Sequence, residues 1–223
     1  MEAVIRSGVG VEKLLDPDDP VWAGAGEDPV QLIGTPAGLQ PTEAIRNTWL
    51  GKKIGAVERV QVKAAHNGEV LAIRLEWDDP TQNDSMTDTT AFPDGAAIAF
   101  PGAPNAVVAT MGAPDAGVNA WYWRADENGS GRHVVAEGLG TTRTLDAGTV
   151  RGNGVWKGGR WRVVITRALK VETSEKVVQL EPGQVTGYAV AVWDGDKQER
   201  GGIKGFSGEW RELRLASEPM ARR

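Results

Sequence analysis

Apolar and polar residues alternate most clearly from Val57 onward, where VERVQVKAAH runs into Asn67-Gly68 and then into EVLAIRLEW. Period-two alternation on both sides of an Asn-Gly pair predicts two strands joined as a hairpin through a type I′ turn, whose twist matches that of the strands. Residues 78–94 are polar turn material, and the apolar run GAAIAFP at 95–101 predicts a short strand after them. Another strand is predicted at 118–124, where VNAWYWR sends Val118, Ala120 and Tyr122 to one face and Asn119, Trp121 and Trp123 to the other. Residues 126–160 form a long Gly-rich stretch, which in a compact domain covers or lines something. It ends in VWKGGRWRVVITRAL, with Gly158-Gly159 turning one strand into the next. VTGYAVAVW at 185–193 is nearly all apolar and predicts a strand buried on both faces, and a last strand is predicted around Glu209–Leu215.

The first 56 residues lack this regularity. Pro17, Pro20, Pro29, Pro36 and Pro41 interrupt them, and only Val11–Leu15 fits a short helical turn. The segment 1–56 reads as an irregular N-terminal arm or edge strand packed on a domain formed by 57–223, the whole being a single domain. No repeat, heptad or linker divides the chain. The predicted fold is all-β, an antiparallel two-sheet β-sandwich with long loops enclosing a ligand pocket at one end.

Composition sharpens this picture by exclusion. With 29 Gly, 12 Pro and 9 Trp among 223 residues, short strands and tight turns are favoured, and the length suffices for a sizeable core. The absence of Cys rules out a disulfide framework, a Cys-ligated iron–sulfur cluster, a zinc ribbon, a thiol nucleophile and a covalently attached c-type haem. A net charge of -5 with no dense basic cluster argues against a nucleic-acid surface. No run approaches the roughly 20 apolar residues of a membrane span, and the N-terminus lacks the basic and apolar regions of a secretory leader. Cytoplasmic residence, prior trimming and export with a partner all remain open on that ground.

Catalytic groups are sparse. The two histidines, His66 and His133, offer no triad, and Gly129-Ser130-Gly131 lies in a polar turn rather than at a strand-to-helix elbow. Asp16, Asp18, Asp19, Asp78, Asp79, Asp194 and Asp196 all fall at turns, where Asp bonds its own backbone. His66 precedes the Asn-Gly turn and is read as bonding the hairpin, with a metal role as the alternative; His133 is read as exposed. The tryptophans are either core or walls for a flat ligand or sugar ring. Met111 sits in VVATMGAPDAG, where a gap-filling core side chain is the ordinary reading and projection into a pocket the alternative. Lys204 sits in ERGGIKGFS among Gly201, Gly202, Gly205, Ile203 and Phe206. There a solvated loop lysine is the ordinary reading, and an amine with a lowered pKa the alternative.

Taken in order, LLDPDDPVW (14–22), HNGEVLAIRLEWDDPT (66–81), FPDGAAIAFP (92–101), MGAPDAGVNAWYWRAD (111–126), GNGVWKGGRWRVVITRAL (152–169) and AVAVWDGDKQERGGIKGFSGEWRELRL (189–215) resemble one family. It comprises the haem b, or gamma, subunits of type II enzymes of the dimethyl sulfoxide reductase family. These serve ethylbenzene, dimethyl sulfide and steroid C25 dehydrogenases and chlorate and selenate reductases. The resemblance implies one non-covalent haem b whose iron is held by Met111 and Lys204. Strand parity then suggests Phe100, Trp121, Trp123 and Val190 as flat apolar walls, Ile203 and Phe206 as dry neighbours of the amine, and Arg124 or Arg162 as a propionate partner.

A haem with two protein ligands leaves no open iron position, so the resemblance implies a non-catalytic subunit that moves electrons. Its partners would be an iron–sulfur (beta) subunit and a molybdopterin catalytic (alpha) subunit, which carry the iron–sulfur clusters and the molybdenum cofactor. An external carrier such as a cytochrome c or a quinone-linked protein would complete the chain. Family resemblance places it in the periplasm, with the cytoplasm as the alternative because no leader is visible. The competing function is a carbohydrate-binding β-sandwich module without haem, since related sandwiches hold sugars between tryptophans.

Overall fold

The computed structural model describes residues 1–86, 91–145 and 148–217. In chain order the strands are β1 (Glu2–Ile5), β2 (Asp28–Gln31), β3 (Ile33–Gly34), β4 (Arg59–His66), β5 (Val70–Asp78), β6 (Gly95–Pro101), β7 (Gly112–Ala113) and β8 (Ala116–Arg124). They continue with β9 (Arg132–Ala136), β10 (Arg143–Thr144), β11 (Val150–Trp156), β12 (Arg160–Ala168), β13 (Val185–Trp193), β14 (Gly205–Phe206) and β15 (Arg211–Leu215). Two short helices, α1 (Val11–Leu15) and α2 (Glu43–Trp49), and four 3-10 turns complete the described elements. None of the helices is long and apolar enough to cross a membrane.

Two layers face each other. One runs β11-β12-β5-β4-β1-β15 and the other β13-β6-β8-β9-β10, and β13 joins them. Its first half, Val185–Tyr188, pairs with β15, while Ala189–Trp193 pairs with β6. All the main pairings are antiparallel except those of β1, which lies parallel to both β15 and β4. The predicted two-sheet β-sandwich is therefore present, with one refinement. Residues 2–5 of the supposed arm form a strand inside a sheet, not at its edge.

The rest of that N-terminal segment acts as a cover. Leu14, Leu15 and Trp22 pack on Ala65, Ala72 and Val164, on the outer face of β4, β5 and β12. Between the layers, Val62, Leu75, Trp77, Trp161 and Ile165 meet Ile98, Phe100, Trp121, Trp123 and Val192 in one core. Burying large aromatics there is the main favourable term, at roughly 25 cal/mol per Å² of apolar area removed from water. Trp123 lies against β11 so closely that a Cβ on Gly154 would sit 2.4 Å from its ring. Glycine at 154 is what lets the layers approach.

The two hairpin turns differ in kind. Gly158 and Gly159 both have positive φ, 64° and 75°, as a type I′ turn requires. At the first hairpin only Gly68 does, at 97°, and it leads the connection as in a type II′ turn. Asn67 instead caps the turn, its side-chain oxygen accepting the N–H groups of Glu69 and Val70 at 3.0 and 2.8 Å. The Gly-rich stretch 126–160 holds three strands, β9, β10 and β11, whose signal is diluted by the glycines between them.

Candidate functional site

The outer face of the β13-β6-β8-β9 layer is floored by small residues in register. Across one row run Val134, Ala120, Ala99 and Ala189; across the next, Tyr122, Ala97 and Ala191, with Phe206 of β14 beyond. Side chains of one carbon leave a flat surface where larger ones would interdigitate. Loops around 35–41, 108–111, 139–142 and 201–204 stand over this floor and enclose a cavity of about 340 Å³. That lies within the roughly 300–1,000 Å³ of small-molecule sites, and its lining is almost wholly apolar.

Met111 enters from one loop. It ends the 3-10 turn Val108–Thr110 in the left-handed conformation, φ 56° and ψ 37°, which a non-glycine residue adopts at a cost of roughly 1–2 kcal/mol. Its N–H donates to Val108 O at 3.0 Å, and its own carbonyl accepts the Gly138 N–H at 3.0 Å. The strained residue is thus held from both sides, with its side chain at the cavity wall.

Lys204 enters from another loop. The Thr35 hydroxyl accepts its N–H at 3.2 Å and donates to Gly202 O at 2.6 Å, while Thr35 N–H donates to Lys204 O at 3.0 Å. Gln40 adds a bond to the same Gly202 carbonyl at 3.0 Å, and a Cβ at Gly202 would collide with its side chain at 2.1 Å. The ammonium lies 5.4 Å above the Trp193 ring and, among the described residues, has no hydrogen bond or ion pair. Burial without an anion pushes its pKa down to about 8.

Met111, Lys204, Phe206 and Val190 all border the cavity, though Val190 turns its side chain into the core. Ile203 is buried but does not border it. Phe100, Trp121 and Trp123 correct the parity reading. They point between the layers, where Phe100 meets Trp121 at 4.6 Å and Trp123 meets Trp161 at 5.1 Å between ring centres. Neither arginine borders the cavity: Arg124 pairs with Asp126 at 2.7 Å, and Arg162 lies 3.0 Å from the Asp18 carboxylate. His133 is buried rather than exposed, with Nδ1 3.2 Å from the Thr149 hydroxyl, and desolvation lowers its pKa to about 4. His66, expected to bond its hairpin, does not: it is fully buried, neither ring nitrogen has a partner within hydrogen-bond distance among the described residues, and desolvation lowers its pKa.

The floor alanines were not singled out from sequence. Their signal lies in the alternation of β6, β8 and β13, where Ile98, Phe100, Trp121, Trp123, Val190 and Val192 occupy one parity and Ala97, Ala99, Ala120, Ala189 and Ala191 the other. The bulky parity fills a core, and the small parity can only floor something. Six of the nine tryptophans are buried; of the three half-buried ones, Trp156 and Trp210 donate their indole N–H to backbone carbonyls, and Trp49 has the Lys52 ammonium 5.7 Å over its ring.

The family model for ethylbenzene dehydrogenase matches residues 19–148 and 139–205. Chlorate reductase subunit gamma of Ideonella dechloratans is 38% identical over 163 residues, spanning 72% of this chain and 66% of that protein. A Haloferax mediterranei protein named "Putative respiratory nitrate reductase heme subunit ORF7" is 30% identical over 220 residues, 98% of this chain and 75% of that one. Among solved structures, a family 9 carbohydrate binding module from Caldicellulosiruptor kristjanssonii, in complex with glucose, superposes with a TM-score of 0.51 at 13% identity. It covers 100% of this chain and 98% of its own, and bears on the fold alone.

Proposed function

The chain belongs to the ethylbenzene dehydrogenase family, and from that premise we propose that it is a haem b-binding electron-transfer subunit of a molybdenum and iron–sulfur oxidoreductase complex. One observation carries the reading. Met111 and Lys204, from loops far apart in sequence, both border one flat-floored apolar cavity, and the lysine there has no anion to hold its proton. A thioether and a neutral amine are donors that suit haem iron, and the alanine rows suit a flat macrocycle. When bound, the haem would supply a one-electron centre.

The chain's own part is to dry and position that centre. Thr35 fixes the Lys204 backbone, Gln40 fixes the neighbouring Gly202, and the hydrogen bonds at Met111 fix its strained turn. With both iron positions taken by protein donors, the subunit would relay electrons between an iron–sulfur partner and an external carrier, leaving catalysis to a molybdopterin subunit. The names of the two relatives, a reductase gamma subunit and a haem subunit, support assembly of this kind, and a periplasmic setting follows the same resemblance.

Extraction and spectroscopy test the proposal. Protein purified from its native source should carry one haem per chain that acid-acetone releases, because no Cys is present to form thioethers, and should co-purify with molybdenum and iron–sulfur subunits. A colourless native protein would refute haem binding. A coloured protein found only as a free monomer would refute the relay role.

A further inference from the structure

Outside the cavity, turn aspartates from three segments come together. Asp79 follows β5, Asp94 precedes β6 and Asp194 follows β13, all three are buried, and one carboxylate oxygen of each lies within 4.8 Å of the others. Asp94 Oδ2 accepts the Asn83 N–H and the Trp161 indole N–H, both at 2.9 Å, and its Oδ1 accepts the Gly195 N–H at 2.9 Å. Asp79 Oδ1 accepts the N–H and hydroxyl of Thr81, both at 3.1 Å, and Asp194 Oδ1 accepts the Lys197 N–H at 3.1 Å. Among the described residues Asp79 Oδ2 meets no donor within hydrogen-bond distance, although the residue is only 1% exposed, while the nearby Trp77 indole N–H favours its ionised form.

No cationic side chain bonds these three carboxylates among the described residues. The ammonium of Lys197 is engaged outside them by Asp196 at 2.5 Å. Three buried acids at this spacing cannot all stay ionised without a counter-charge. Burial accordingly raises the pKa of Asp79 and Asp194, and that of Asp94 to about 7. The nearby charge of Lys197 favours ionised Asp194, and what it leaves uncompensated falls to protons or a metal ion.

The donor chemistry selects between them. Every ligand is a hard carboxylate oxygen with no His or Cys nearby, which suits calcium or magnesium rather than a transition metal. Calcium takes oxygen ligands in a flexible geometry that a buried all-protein group can meet, whereas magnesium demands a near-ideal octahedron and usually keeps several waters. Asp79 thus brings to the group a buried carboxylate oxygen that no hydrogen-bond donor among the described residues occupies. We infer that Asp79, Asp94 and Asp194 form a calcium site that fastens the end of β5 and the start of β6 to the turn after β13.

That turn is also the root of the loop carrying Lys204. Glu199 ties it to Gly55 and Ala56, whose N–H groups donate to Oε1 at 2.7 and 3.0 Å, and to the Asp194 N–H at 3.2 Å. The site is independent of haem binding, and so is its test. Terbium replaces calcium, and Trp161, hydrogen-bonded to Asp94, would sensitise its emission. The full chain, titrated with terbium under tryptophan excitation, should give saturable single-site emission that calcium reverses, and calcium should raise the unfolding midpoint. Asp79→Asn keeps the hydrogen-bonded shape and should weaken the site at least tenfold, as should Asp194→Asn. Absence of saturable emission in the folded parent, or unchanged affinity in both variants, would overturn the inference. Should neither variant fold, an unfolding midpoint indifferent to calcium in the parent would overturn it equally.

Discussion

Lys204→Met in the haem-free protein isolates what the cavity does to its amine. Burial without an anion lowers the lysine from 10.5 to about 8, and at about 1.4 kcal/mol per pH unit this is a penalty of about 3 kcal/mol on the folded state. Between pH 8 and 10.5 the unfolded chain still holds the proton while the folded chain has released it. Stability therefore rises with pH across that window, and the full penalty is present below it. An apolar side chain of similar length should raise stability at pH 7 by up to about 3 kcal/mol and remove most of the rise between pH 8 and 10.5. Urea unfolding of parent and variant at pH 7, 9 and 10.5 measures both effects. A variant no more stable than the parent, with the same rise, would refute the account of a charged amine held dry. In the proposed haem site the same penalty would favour ligation, because freeing the amine at pH 7 costs about 1.4 kcal/mol here against about 5 kcal/mol for a solvated lysine.

In the haem-loaded protein, Lys204→Ala should convert the low-spin spectrum to a five-coordinate or water-bound one. Met111→Ala should in addition lower the reduction potential, by removing a soft donor that favours ferrous iron, and Lys204→Arg should fail to rescue because guanidinium keeps its proton. Absorption spectra and potentiometry read these changes. Ala99→Phe places a ring on the cavity floor without entering the inter-layer core, so haem titration should show loss of binding while circular dichroism stays that of the parent. His133 should make the fold acid-sensitive. Its pKa lies near 4 when folded against 6.5 when free, so stability is lost as pH falls from 6.5 to 4, by about 3 kcal/mol in all. Subtracting the pH dependence of a His133→Phe variant, measured by urea unfolding, isolates that share.

The strands at 95–101 and 185–193 and the helical turn at 11–15 were legible to the residue, because their patterns are local. What local pattern could not say was which parity of β8 faces inward, since both are apolar. The inter-layer space needed volume and took Trp121 and Trp123, leaving Ala120 and Tyr122 for the cavity. The insertion of β1 beside β15 rests on a pairing across nearly the whole chain, which no window of sequence contains. The three buried aspartates were hidden for a related reason. Asp79 and Asp194 do bond nearby backbone as turn residues should, and only the meeting of their turns with Asp94 gives them a second role. Met111 and Lys204 stood out through odd local settings, and a shared cavity is the part that only the fold supplies.

The seam at β15 has a consequence for biosynthesis. This strand lies between β13 and β1, so of the described strands the last to leave the ribosome is the one that joins the two halves of the strand path. Until it arrives, the N-terminal strand has only β4 to rest on, and the floor of the cavity hangs from a β13 whose first half is unpaired. Closing such distant partners is slow. The described strand path therefore stays open until β15 is made, and any cofactor the cavity holds would be captured only after that strand has paired.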